Sequence, residues 1–297
     1  MCGTDLSIFG GKIPVGYPRV LGHEMTGTAV SGGAVAAGSR VVVDPSIACG
    51  RCYQCVRAQT NLCPRGALLG RDRDGVLADV IAVPAANVYA LPDEVPDHVG
   101  PLIQVLTTCV HAHRQTDVFP GDVVVVLGLG VTGLIHVQLA RSRGAATVVG
   151  VSRSRSKLEL ARDLGADVVI DAARDVPGEV ARATDGRGAD AVIESAGTVA
   201  TFGQAIALAR IGGRIMSYGT MTESEGRLRF YDLYYKELQI SNPRAAKPED
   251  FPVAISIAAR GGVRLEPLVT HRFELSDVER AFEVASSGGA LKVLVEL

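Results

Sequence analysis

The chain has 297 residues, with 30 Lys+Arg against 32 Asp+Glu, 47% hydrophobic and 21% charged residues. That balance excludes disorder, collagen and coiled coil, and it supplies apolar material for one or two cores. A formal net charge of −2 sets up no basic field toward phosphate backbones or anionic lipid, so neither nucleic acid nor membrane is expected as a partner.

Apolar runs such as VVVVL at 123–127 are far shorter than the about 20 residues of a membrane-spanning helix. The opening MCGTDLSIFGGK has no basic region followed by an apolar stretch. With Met1 as the start, this predicts a cytoplasmic protein. The 34 glycines and absence of tryptophan suit an α/β chain rich in tight strand-to-helix turns.

Residues 1 to about 105 read as mostly β, with strands expected in VLGHEMTGTAV (20–30), SRVVVDP (39–45) and VLADVIAVP (76–84), and Gly or Pro at the breaks. Within this half, four of the six cysteines crowd into CGRCYQCVRAQTNLC, as Cys49, Cys52, Cys55 and Cys63. Cysteines three apart on a turning loop aim their sulfurs at one centre, and four thiolates make a closed structural zinc site. An iron–sulfur cluster and unmetallated thiols are the alternatives. Disulfides fit a reducing compartment poorly. Cys109, in TTCVHA, reads as a small buried hydrophobe.

From about 106 the pattern changes to apolar β-branched runs separated by helix-length segments: VVVVLG, ATVVGVS, DVVID, DAVIES and GRIMSYG. Five such strands predict βαβ units and a parallel sheet. SKLELARDLGAD places Leu158, Ala161 and Leu164 on one helix face and stops at Gly165. The closing HRFELSDVERAFEVASSGGALKVLVEL predicts an amphipathic helix behind a Ser276 cap and a last strand returning to the first domain. The expected domains are 1–108 with 245–297, and 109–244.

In VVVVLGLGVTGLIHVQLA, Gly128, Gly130 and Gly133 follow a strand and open a helix, the context in which G-x-G-x-x-G binds a dinucleotide pyrophosphate. An NAD enzyme carries Asp or Glu about 20 residues on, at the end of the second strand. Here TVVGV is followed by Ser152, Arg153, Ser154 and Arg155. Two guanidinium groups and no carboxylate favour a 2′-phosphate, hence NADP(H) over NAD(H). Val131, Thr132 and Lys157 complete the expected cofactor contacts of this region. Glu194, Ser195, Ala196 and Gly197 end the fourth strand and are expected cofactor neighbours, and Tyr218, Gly219 and Thr220 end the fifth, where ligands sit in such sheets.

CGTD at 2–5 and GHE at 22–24 add a thiol, an imidazole and two carboxylates to the β-rich half. Ahead of a dinucleotide fold, they look like an open catalytic zinc site. CGTD, GHE, four cysteines spaced 3, 3 and 8, and GLGVTG together resemble the zinc-dependent medium-chain dehydrogenases, and the likeness extends to the final KVLVEL. VVVDPSIACGRCYQC, IESAGT and LVTHRFELSDVERAFE are most similar to their threonine and polyol (sorbitol-like) branch.

The resemblance implies a GroES-like catalytic domain beside a Rossmann domain, with zinc and a nicotinamide cofactor. It implies Cys2 and His23 as catalytic zinc ligands, Glu24 beside or intermittently on the metal, and Asp5 orienting His23. Thr4 would take the substrate proton, and Ser7 stands where relatives often continue the relay with histidine. The substrate would be a small alcohol or its ketone, and the assembly a homo-oligomer, tetramer or dimer. The family's third ligand, seven residues before a frequent His, falls on Gln104 when counted from His111. Gln104 binding, Glu24 taking over, and loss of the metal are the three outcomes left open. Relatives also carry some tens of residues before CGTD, including early strands, so a preceding native segment is expected here.

Two rival readings remain: a zinc-free NADP(H) reductase of the same superfamily, and a catalytically silent NADP(H)-binding protein. Among the other histidines, His98 is expected in solvent, His111 and His113 in packing or hydrogen bonds, His136 facing the core, and His271 packed at the returning strand.

Overall fold

The computed structural model describes residues 1–297. The chain forms two compact units, Met1–Thr108 with Ala245–Leu297, and Cys109–Arg244.

The first unit begins with α1 (Gly3–Phe9), β1 (Thr26–Thr28), β2 (Arg40–Val43), β3 (Ser46–Ile47), α2 (Tyr53–Val56), β4 (Ala67–Leu68) and β5 (Val88–Ala90). The boundary between units falls within α3 (Leu102–Gln115). Strands β1, β2 and β5 make an antiparallel sheet, with Val41 to Val43 of β2 buried. The β3–β4 pair brackets the cysteine segment. Two segments depart from a plain run of strands. CGTD opens a helix, because the Cys2 main chain is extended and its N–H donates to Asp5 Oδ2 at 2.8 Å, a capping arrangement. VLADVIAVP forms no strand: Val76 and Leu77 at its start donate backbone N–H to Gly22 O and Leu21 O, but the pairing does not continue, and Val80 is 70% exposed. That segment, residues 24–35 and the chain end line a groove of about 930 Å³.

The second unit holds β6 (Val123–Leu127), α4 (Val131–Ser142), β7 (Thr147–Ser152), α5 (Arg155–Asp163), β8 (Val168–Asp171), α6 (Val176–Ala183), β9 (Ala189–Glu194), α7 (Val199–Leu208), β10 (Ala209–Ser217), α8 (Phe230–Tyr235) and β11 (Gln239–Ser241). Six parallel strands run in the order β11-β10-β9-β6-β7-β8. β6 and β9 are buried along their whole length, as strands covered on both faces must be. Five strands were expected. β11 adds a sixth at the edge, where its short polar sequence lacks the apolar run that marked the others. Strand order reverses between β6 and β9, and ligands of doubly wound sheets bind beyond the carboxyl ends of the strands at such a point.

The chain then returns to the first unit with α9 (Asp250–Ala259), β12 (Val269–Glu274), α10 (Val278–Ser286) and β13 (Lys292–Glu296). β12 and β13 pair in parallel. The N-cap of α10 is Asp277, not Ser276, which sits inside a preceding 3-10 turn. Phe282 of α10 stacks on Phe9 of α1 with ring centroids 4.5 Å apart, which fixes the helix that presents Cys2, Thr4 and Asp5. His271 lies exposed on β12 rather than packed. His98, expected in solvent, meets Glu266 Oε1 at 3.0 Å. No helix is long and apolar enough to cross a membrane.

Candidate metal centres and cofactor site

The four clustered cysteines converge. Their ligand atoms all lie within 4.8 Å of one another, with Sγ separations of 3.4 Å for Cys52–Cys55, 3.8 Å for Cys52–Cys63 and 4.0 Å for Cys49–Cys55. Four sulfurs at about 2.3 Å from a tetrahedral zinc stand about 3.8 Å apart, so the spacing fits the metal. Hydrogen bonds from the Arg51 backbone, above all, hold the Cys49 thiol down at about 6, which favours the thiolate that a metal needs.

A second cluster joins Cys2, His23 and Glu24, again with ligand atoms within 4.8 Å of one another. Asp5 organises it. Its Oδ2 takes the Cys2 N–H, and its Oδ1 lies 3.0 Å from His23 Nδ1, leaving Nε2 as the nitrogen for a metal. Burial and Glu24 push the Cys2 thiol up, and His23 outweighs them to hold it below its usual range. Thr4 Oγ1 lies 3.9 Å from Cys2 Sγ, and Thr4 and Ser7, three apart, share a face of α1. The donor set of thiol, imidazole and carboxylate suits zinc.

Lys292, at the start of β13, went unnoticed in the sequence. Its Nζ donates to Glu24 Oε1 at 2.8 Å and Oε2 at 2.7 Å, with both side chains buried. Burial pushes the Glu24 carboxyl up, but Lys292, the Met1 ammonium and His23 hold it at about 2. No local pattern signals this pair, because its members lie 268 residues apart. Gln104 lies half-buried in the first turn of α3.

In the second unit the glycine loop forms at the reversal point. Gly128 takes φ +91°, and Gly130 caps α4. A Cβ on Gly133 would sit 1.9 Å from the Gly128 carbonyl oxygen, so the α4 backbone packs against the loop only because that position is glycine. Space beside Gly130 is open, as approach of a pyrophosphate requires. Thr132 Oγ1 lies 2.8 Å from Ser195 Oγ, and Ser195 N donates to Leu127 O at 2.8 Å, bringing the ends of β6 and β9 together. Tyr218 and Gly219 both donate backbone N–H to Glu194 O, which sets the end of β10 beside them. At the end of β7, Ser152 and Lys157 are half-buried and Arg153 is exposed, while Arg155 pairs with Glu159 at 2.9 Å. One of the two expected arginines is thus turned to a carboxylate.

Beneath Tyr218, His136 Nδ1 meets His113 Nε2 at 3.1 Å, and the Tyr218 ring stands edge-on to His136 with centroids 4.5 Å apart. Cys109 is fully buried, with Sγ 3.6 Å from the Tyr218 hydroxyl.

Residues 1–93 match the alcohol dehydrogenase GroES-like domain, and residues 131–260 match the zinc-binding dehydrogenase family. Sorbitol dehydrogenase of Halalkalibacterium halodurans is 33% identical over 99% of this chain and 88% of its own length. D-Arabitol-phosphate dehydrogenase of Enterococcus avium is 30% identical over 100% and 87%. Among solved structures, a Sinorhizobium meliloti 1021 protein assigned as a zinc-binding dehydrogenase and bound to NADP superimposes with TM-score 0.94 at 32% identity, over 100% of this chain and 89% of that one. An alcohol dehydrogenase from Escherichia coli CFT073 complexed with NADH gives 0.92 at 30%, over 100% and 89%. The chain belongs to the zinc-type medium-chain dehydrogenases, in their polyol branch. It is accordingly an alcohol-type oxidoreductase that pairs a GroES-like domain with a Rossmann-like sheet.

Proposed function

We propose that the chain is a zinc-dependent oxidoreductase that moves hydride between NADP(H) and a secondary alcohol, polyol or amino alcohol and its ketone. One observation carries this reading: Cys2, His23 and Glu24 converge, with Asp5 holding both Cys2 and His23. In this reading Met1–Thr108 with Ala245–Leu297 is the catalytic domain and Cys109–Arg244 the dinucleotide-binding domain. Zinc bound at Cys2, His23 and Glu24 or Gln104 would supply Lewis acidity toward an alcohol or ketone oxygen. Asp5 keeps the Nδ1 proton on His23 and so presents Nε2. The Thr4 hydroxyl relays the proton released by the alcohol toward solvent, and with Ser7 on the same helix face in place of a histidine the onward step runs through water or ribose hydroxyls. Cys49, Cys52, Cys55 and Cys63 hold a structural zinc.

Gly128, Gly130, Val131, Thr132 and Gly133 cradle the cofactor pyrophosphate at the start of α4. Ser152, Arg153 and Lys157 face the adenosine ribose, where the absence of a carboxylate supports NADP(H). Ser195, Ala196 and Gly197 with Tyr218, Gly219 and Thr220 surround the nicotinamide half. The assembly is a homo-oligomer, tetramer or dimer, which sedimentation reads directly.

A second reading, a zinc-free NADP(H) reductase or silent binder, draws support from the two bonds of Lys292 to Glu24 and from the neutral amide of Gln104. Steady-state assays with secondary alcohols, polyols, amino alcohols and ketones separate the two. The main reading expects turnover at least about tenfold more efficient with NADP(H) than NAD(H), and its loss in His23→Ala. Equal efficiency with NAD(H), or full activity in His23→Ala, contradicts it.

A further inference from the structure

Glu194 ends β9 with its side chain fully buried. Its Oε1 accepts three hydrogen bonds of 2.8 Å, from Ala196 N, Gly197 N and Thr201 Oγ1. Its main-chain carbonyl accepts Tyr218 N at 2.9 Å and Gly219 N at 2.8 Å. A single residue therefore ties together the two loops that follow β9 and β10. Oε2 is buried without any partner, and a Cβ on Gly219 would stand 3.0 Å from it, so this oxygen lies against the backbone of the second loop. A buried acceptor without a donor costs about 1–3 kcal/mol, more when it is charged, and nine in ten such groups are satisfied. The bracing needs Oε1 and the carbonyl only; Oε2 is surplus to it.

The geometry points to Glu194 as a positioning residue whose Oε2 accepts an N–H or O–H donor from the nicotinamide riboside half of the bound cofactor. The inference rests on the dinucleotide-binding reading of this unit. The donors of that half are the carboxamide N–H and the hydroxyls of its own ribose, none of which belongs to the adenosine half.

Calorimetric titration of wild type and Glu194→Gln with NADP+, adenosine 2′,5′-bisphosphate and the 3-acetylpyridine analogue of NADP+ tests it. Glutamine retains an oxygen for the three Oε1 bonds and turns N–H groups toward the ligand's donor. The variant is expected to bind NADP+ about tenfold more weakly or worse, and adenosine 2′,5′-bisphosphate, which lacks the whole nicotinamide riboside half, within about twofold of wild type. A carboxamide donor makes the variant's penalty vanish with the acetylpyridine analogue; a ribose donor leaves it intact. Equal affinity of both proteins for NADP+, or equal weakening for NADP+ and the fragment, overturns the inference. Wild type that binds neither ligand overturns the dinucleotide reading and this inference with it. Should Glu194→Gln not fold, the infrared band of carboxylate-labelled wild type decides: a shift of the buried carboxylate on NADP+ binding is expected, and no shift overturns the inference.

Discussion

Lys292 and Glu24 form a buried two-point ion pair, 2.8 and 2.7 Å, that links the last strand of the chain to the candidate zinc ligands. Removing the ammonium leaves a carboxylate away from water with its principal counter-charge gone. Lys292→Met is therefore expected to destabilise the protein by about 3–5 kcal/mol, with Lys292→Arg recovering most of that. Urea denaturation at fixed zinc concentration measures it, and a loss below about 1 kcal/mol would show that the pair is not holding the site.

The cysteine cluster makes a separate demand. Cys55→Ser is expected to lose one zinc per chain and to lower the melting temperature by about 5 °C or more, the shift that about 2 kcal/mol produces in units of this size. Unchanged metal content in the variant would favour unmetallated thiols.

Cofactor choice turns on Arg153, the arginine at the end of β7 without an ion-pair partner among those described. Arg153→Ala is expected to raise KM for NADP(H) by about tenfold through a lost charge-assisted hydrogen bond, with KM for NAD(H) unchanged. Equal effects on both cofactors would remove this residue from 2′-phosphate recognition.

These features differ in how far they were readable from the amino-acid order. The glycine loop and the cysteine cluster were legible because their chemistry is written within fifteen or so residues, as were the strands buried on both faces. VLADVIAVP carries the composition of a strand, but its backbone pairing stops after Val76 and Leu77. The strand β11 has the partner, β10, but not the composition. Lys292 with Glu24, His113 with His136, and the reach of Glu194 to the loop after β10 all depend on contacts that only the assembled fold creates.

Stability should respond to acid through His113 and His136, two of the three buried histidines of the second unit. Burial pushes His136 down to about 3 from 6.5, and burial with the neighbouring His136 also lowers His113. Below pH about 6.5 the unfolded chain takes up protons that the folded chain refuses, so this contribution is present above 6.5 and is lost as pH falls toward 3. Each such group costs about 1.4 kcal/mol per pH unit in that window. Chemical denaturation of wild type and His136→Leu between pH 7.5 and 4.5 should give a shallower decline for the variant. Parallel declines would mean that His136 does not carry this dependence.

Zinc per chain, measured by elemental analysis on protein purified without added metal, bears most directly on the assignment of a zinc-dependent dehydrogenase. The account predicts two zinc ions for wild type and one for His23→Ala, with the cysteine cluster still filled. One zinc in wild type, unchanged in His23→Ala, would contradict it and leave Cys2, His23 and Glu24 as a site without a metal.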